Sequence, residues 1–267
     1  MPMHNLSWVG SEKDFVDKRD VRWINRMAVG RFGGNSSAGQ TKNEDGCIIW
    51  QTEDWEFAAI LDAHKSAESA ELVIRTVEHH KGALSQILSL KGHPDFKQLE
   101  GKLLKIFLSE SFLDACRNIK GETACLIVVR KANYIWWFSV GDCLVYLIHP
   151  DLIAMKQYQL NQRQFYEWIG QVNTFKKAVP CYSSGTRELR KGSNLIFMTT
   201  DGLVECPGEP YLNPQNLVEA LDEKKLDESI SQLLLEIENR NVRDSTTIIS
   251  WTIEVAEEGS IPSDLKY

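Results

Sequence analysis

The sequence predicts an α+β domain of mostly antiparallel sheet with helices packed outside it. Three observations carry that expectation. Apolar runs of strand length recur at 27–32, 46–51, 56–61, 123–130, 134–140, 143–149, 194–200 and 245–253. Some follow one another across breaks too short for a helical crossover, such as Lys131-Ala132-Asn133, which suits a hairpin. Helical periodicity is confined to a few separate stretches and does not alternate with every strand.

In chain order, residues 1–26 are polar and charged with interspersed tryptophans and read as an N-terminal extension packed on the body. After the first three strands, Ala70, Val73, Ile74 and Val77 have the i, i+3, i+4, i+7 spacing of one buried helical stripe. A second helical stretch runs from about Asp95 to Arg117, with Leu99, Leu103, Ile106 and Phe107 on one face. Gly141-Asp142 is a turn pair between two strands. Residues 150–192 are less regular, with a helix expected at 161–169. Leu226, Ile230, Leu233, Leu234 and Ile237 mark another amphipathic helix before the last strand. Without an internal repeat or Pro/Gly-rich linker, residues 27–254 read as one domain, followed by a tail at 255–267.

At 267 residues and 43% hydrophobic, the chain can bury a substantial core. No run approaches the ~18 apolar residues of a membrane span, and the first residues do not read as a secretion signal. A cytoplasmic location is therefore expected. The six cysteines lie among apolar neighbours with no C-x-x-C spacing, which reads as reduced packing residues. A net charge of −7 with no basic block argues against non-specific nucleic-acid binding.

The most informative residues are aspartates placed where strand-like runs stop. Phe57 to Leu61 ends at Asp62, Ile135 to Gly141 ends at Asp142, and Leu195 to Thr200 ends at Asp201-Gly202. Asn43-Glu44-Asp45 precedes one strand and Asp244 precedes the last. Carboxylates at the mouths of buried strands are costly unless paired, so their distribution points to a shared cation. Any one Asp-Gly pair alone is an ordinary turn; the set is what points to a metal site.

At these residues the chain resembles the metal-dependent serine/threonine phosphatases of the type-2C class, in the short form of bacterial members. Thr41-Lys42-Asn43-Glu44-Asp45 looks like the first acidic motif, and Ile60-Leu61-Asp62-Ala63-His64 is similar in part to D-G-H-G-G. Glu122-Thr123-Ala124 and Val140-Gly141-Asp142 resemble the glycine-threonine and G-D-S-R motifs. Met198-Thr199-Thr200-Asp201-Gly202 resembles S-D-G, and Arg243-Asp244-Ser245-Thr246 resembles D-N-x-T. The resemblance spans roughly residues 27 to 254.

It implies two packed antiparallel sheets flanked by helices, an α-β-β-α sandwich with two manganese or magnesium ions at one end. Asp62 would bridge the ions, Asp201 and Asp244 would complete one shell, and Glu44 would help hold the other. The Ala63 carbonyl would take a ligand role, Asp45 would bond to metal-bound water, and Asp142 would bind a third ion. The implied reaction is hydrolysis of phosphoserine and phosphothreonine in proteins by a metal-bridging hydroxide, with His64 protonating the leaving oxygen.

The pattern departs from the family where its phosphate-gripping arginine would stand. That position is Gln40, which supplies neither charge nor a bidentate fork, so Lys42 or Arg31 is the expected substitute. Lys65 and Ser66 replace the glycines after His64, and Cys143-Leu144 replaces serine-arginine. These departures motivate an alternative, a pseudophosphatase that binds phosphoproteins or a regulatory partner without turnover. A two-metal nuclease would want a basic groove, and none is visible. Gly34 to Thr41 nearly spells a P-loop, but Gln40 stands at the essential lysine, so a loop at the cleft edge is expected.

Overall fold

Strand residues alternate between two faces, and here both faces are apolar along most strands, so each sheet must be covered on both sides. The computed structural model, which describes residues 3–261 and 263, meets that requirement with four layers. One sheet runs in the order β1 (His4–Val9), β4 (Gly46–Gln51), β5 (Trp55–His64), β6 (Glu122–Lys131), β7 (Tyr134–Val140) and β10 (Ser183–Glu188), and the short β9 (Ile169–Gly170) also pairs with β6. The other has the order β2 (Arg19–Ile24), β3 (Met27–Phe32), β12 (Thr246–Val255), β11 (Gly192–Thr199) and β8 (Leu144–Ile148). The strand pairs are antiparallel. The α+β sandwich expected from the sequence is the fold observed.

Parity sorts the core. On β5, Ala58 and Ile60 face the other sheet, whereas Phe57, Ala59 and Leu61 face helices. Those helices are α1 (Glu68–His79), α2 (Lys81–Leu88), α3 (Phe96–Phe107) and α4 (Glu110–Arg117). On the second sheet, Ile196 and Met198 point between the sheets, while Leu195 and Phe197 pack outward. Covering that outer face are α6 (Pro214–Glu219) and α7 (Leu226–Asn239), with Leu217, Ile230, Leu233, Leu234 and Ile237 buried. The short α5 (Pro150–Ala154) follows β8.

Several sequence expectations change. The first 26 residues supply β1 and β2, which pair with β4 and β3, so the segment read as an extension is part of both sheets. The stretch 95–117 is two helices, because Ser109 Oγ accepts from the Phe112 amide (3.3 Å) and caps a new start. No helix forms at 161–169. There Asn161 Oδ1 accepts from the Val145 amide (3.0 Å) and Tyr166 adopts φ 69°, so side chain–backbone bonds hold a loop. Gly141-Asp142 does not join a hairpin: β7 and β8 lie in different sheets, and this pair carries the chain between them. With φ 90°, and with space for a Cβ only 2.5 Å from Ala124 Cβ, Gly141 is required at that crossing. Of the tail, 255–261 and 263 are described, and the rest lies outside the described residues.

At the far end of β5, Glu56 is fully buried and bonded by Arg130 and Arg26. Removing one partner of a buried pair leaves an uncompensated charge. Glu56→Ala is therefore expected to cost about 3–5 kcal/mol in urea unfolding, with activity per folded molecule unchanged, because the candidate site lies at the other end of the strand.

Candidate metal centre

The alternation that builds the core also aims the acids. Asp62 continues the Ala58, Ile60 face of β5 past its last apolar residue and therefore emerges between the sheets. Asp201 lies two residues past the end of β11, and Gly202 behind it presses on the residue that leads into β12, where an added Cβ would lie 2.2 Å from the Ser245 carbonyl oxygen. Only glycine permits that approach. Asp142 arrives from the β7–β8 crossing. Asp62, Asp142 and Asp201 each bring a carboxylate oxygen within 4.8 Å of the others.

Burial and mutual repulsion act together on this group. Asp201 is pushed up to about 7 by burial and by Asp244. Burial, with Asp201 beside it, holds Asp62 well above the ordinary carboxyl range. Burial also raises Asp142, with Arg163 opposing it, and raises Asp244, with His64 opposing it. Asp62 Oδ2, Asp142 Oδ1 and Asp201 Oδ1 are buried without a protein hydrogen-bond partner. Ionised carboxylates so close hold together only with a proton or a cation between them. An all-oxygen donor set with free lone pairs fits a hard divalent ion such as Mg²⁺ or Mn²⁺.

The other sequence-predicted residues sit differently. Asp45 turns inward and is not in the group of three. Its carboxylate accepts from Thr200 (3.1 Å), Ser245 (3.2 Å) and Thr247 (2.7 Å) hydroxyls, so its oxygens are already engaged, and burial pushes it up to about 8. Glu44 is also outside the group and is bonded by Lys42 Nζ at 2.7 Å. Asp244 lies beside the group, close enough to raise Asp201 and Asp62. Ala63 and His64 end β5, Ala63 buried and His64 exposed. Arg31 does not reach the site. It is 1% exposed, stacked on Trp8 and Phe15 and bonded to Asp20, so it holds the N-terminal segment.

Beside the acids, Gln40, Lys42, Glu44, Lys65, Arg243 and Asp244 line a cleft of about 380 Å³. The near-P-loop segment is a loop with one turn of 3-10 helix at Ser36–Ala38, and it reaches the cleft edge through Gln40. Sequence reasoning missed Arg163, whose guanidinium lies 3.8 Å from Asp142 and 3.7 Å from Asp201 and also bonds Glu205. Nothing in the irregular stretch around Arg163 marked it. Glu205, four residues after Asp201 on the same short turn, could have been found from that spacing.

No family profile and no curated protein sequence matches the chain. Solved structures do. A bacterial serine phosphatase superposes with a TM-score of 0.61 at 13% identity, covering 98% of this chain and 100% of its own. The chain has the fold of the bacterial serine/threonine phosphatases. RsbX in complex with magnesium matches with a TM-score of 0.58 at 15% identity, over 88% of this chain and 100% of that one. The catalytic domain of the phosphatase PstP, in complex with 2 manganese ions, gives 0.55 at 13% identity, over 95% and 98%. At such identities the likeness is one of fold. Among the described residues of this phosphatase-fold chain, no helix is long and apolar enough to cross a membrane.

Proposed function

We propose that this chain is a Mn²⁺- or Mg²⁺-dependent phosphatase that hydrolyses phosphoserine and phosphothreonine in proteins. The observation that carries the reading is the trio Asp62, Asp142 and Asp201, with buried oxygens that lack partners, at one end of a phosphatase-type sandwich. Asp62, Asp201 and Asp244 would hold the ions, with Asp142 and the Ala63 carbonyl as further donors and Glu44 reaching them only if released from Lys42. Bound divalent ions would supply positive charge to a phosphate and acidify a coordinated water. His64, exposed at the end of β5, would hold the proton that the leaving oxygen takes up. Asp45 would act behind the site, fixing Thr200, Ser245 and Thr247 at the strand ends that carry Asp201 and Asp244. The test is hydrolysis of a phosphopeptide panel by purified protein with and without Mn²⁺; turnover unaffected by a chelator would overturn the reading.

Phosphate orientation falls to the cleft. Gln40 and Lys42 line it, but Lys42 Nζ is already bonded to Glu44 and to the Lys65 carbonyl (2.8 Å). Lys65 and Arg243 are exposed cations on the same cleft, and Lys65 keeps φ 75°, a conformation that favours glycine. A lysine held at about 1–2 kcal/mol of backbone cost is consistent with use of its charge. Lys65→Gly is expected to leave stability unchanged or higher while raising KM for a phosphopeptide about tenfold, the worth of a hydrogen bond to a charged group. An unchanged KM would remove Lys65 from phosphate binding.

A second reading, a pseudophosphatase, is favoured by Gln40 and by the Lys42–Glu44 pair, which withholds one expected ligand. Metal uptake without turnover of any phosphopeptide would select it.

A further inference from the structure

Arg163 is held in the acidic cluster by its neighbours in sequence. Two residues earlier, Asn161 is buried, with Nδ2 donating to the Cys143 carbonyl (2.8 Å) and Ser139 Oγ (3.1 Å). One residue later, the Gln164 amide donates to the Gly141 carbonyl (2.8 Å), beside Asp142. Between these anchors the guanidinium stacks on the Phe165 ring at 4.6 Å and is mostly withdrawn from solvent, at 16% exposure. It lies 3.8 Å from Asp142 Oδ2 and 3.7 Å from Asp201 Oδ2, and it donates to Glu205. One fixed positive charge thus faces three carboxylates, two of which belong to the candidate metal centre.

We propose that Arg163 is a built-in cation that neutralises the Asp142–Asp201 edge in place of a divalent ion, so that the centre takes one ion fewer than its carboxylates could hold. The inference rests on the cation-centre reading above. Guanidinium is a permanent charge with donors in a fixed fork, suited to a site that must stay neutralised whatever the metal supply. A divalent ion brought to the same two carboxylates would meet that charge at close range, where partial burial weakens the screening by water. Asp62 and the unpartnered oxygens of Asp142 and Asp201 stay available to the ions that do bind.

Mn²⁺ binding measured by equilibrium dialysis and calorimetry on the full chain tests this without relying on activity. Arg163→Gln is expected to bind one more Mn²⁺ per chain at saturation than the unsubstituted protein. Adding Asp142→Asn to that variant should return the number to the original. Arg163→Met, which keeps an apolar stem against Phe165, carries the same expectation should the glutamine variant not fold. Identical stoichiometry and affinity with and without Arg163 would overturn the proposal. If the unsubstituted protein binds no Mn²⁺, the cation-centre reading falls. A gain of one ion in Arg163→Gln would still support the role of Arg163, whereas no uptake by either protein would overturn both.

Discussion

Asp62→Asn and Asp201→Asn are each expected to lower Mn²⁺-dependent phosphopeptide turnover by about 10³-fold or more, while the metal-free protein becomes no less stable. The size follows from losing several kcal/mol of metal-derived stabilisation at about 1.4 kcal/mol per decade. The two effects have one cause. Asn keeps the shape of Asp but removes a charge from three acids whose oxygens lie within 4.8 Å of one another. Without a cation each of these acids must hold a proton or sit as a repelled, buried charge, and Asn removes that cost from the apo fold; with a cation the carboxylate is a ligand. Thermal melts in chelator and turnover in Mn²⁺ should therefore move independently. Full turnover in either variant would sink the metal-centre assignment, and a collapsed melt would mean these acids are structural.

The second large effect is a pH-dependent stabilisation by Mn²⁺. Burial raises Asp201 to about 7 and Asp45 to about 8, against an ordinary aspartate value of 3.8. A carboxyl raised in the fold contributes stability that is complete below its unfolded value and is lost as pH rises through the folded one. The metal-free protein should therefore lose stability between about pH 4 and pH 8 from these groups. Asp45 is engaged by hydroxyls and keeps its proton, whereas Mn²⁺ competes with the protons on Asp201 and Asp62, so each proton displaced from the centre strengthens binding by up to about tenfold per pH unit. At saturating metal the gain is about 2.7 kcal/mol for a concentration 100 times the dissociation constant. The rise in Tm on adding Mn²⁺ should be clearly larger at pH 8 than at pH 6. An equal or smaller rise at pH 8 would show that metal does not displace these protons.

Legibility in the sequence followed the range of the interaction. The stripes Ala70, Val73, Ile74, Val77 and Leu226 to Ile237 are buried as their spacing requires, because a helix face is set within a few turns. Asp62 emerges between the sheets as the alternation of β5 dictates. The break at Ser109 is a local capping signal, a serine whose side chain accepts from an amide three residues on. The helix expected at 161–169 failed for a different reason: Asn161 bonds to residues on β7 and β8, contacts that no local window contains. For the same reason β1 and β2 looked like an extension, since their polar faces conceal that each pairs with a strand further along.

The sequence by itself determined that acids stand at the ends of buried strands, and that those strands form an antiparallel α+β fold. Both depend on alternation and on the cost of burying apolar side chains, which act residue by residue. Only the tertiary structure decided which acids meet. Asp142 joins Asp62 and Asp201 because the chain crosses between sheets at Gly141, whereas Asp45 is drawn inward by hydroxyls from Thr200, Ser245 and Thr247, about 155 to 202 residues away along the chain. It also brought Arg163 into the cluster, from a loop with no pattern of its own. Carboxylates interact through space over a few ångströms, and only the packing of the two sheets sets those distances.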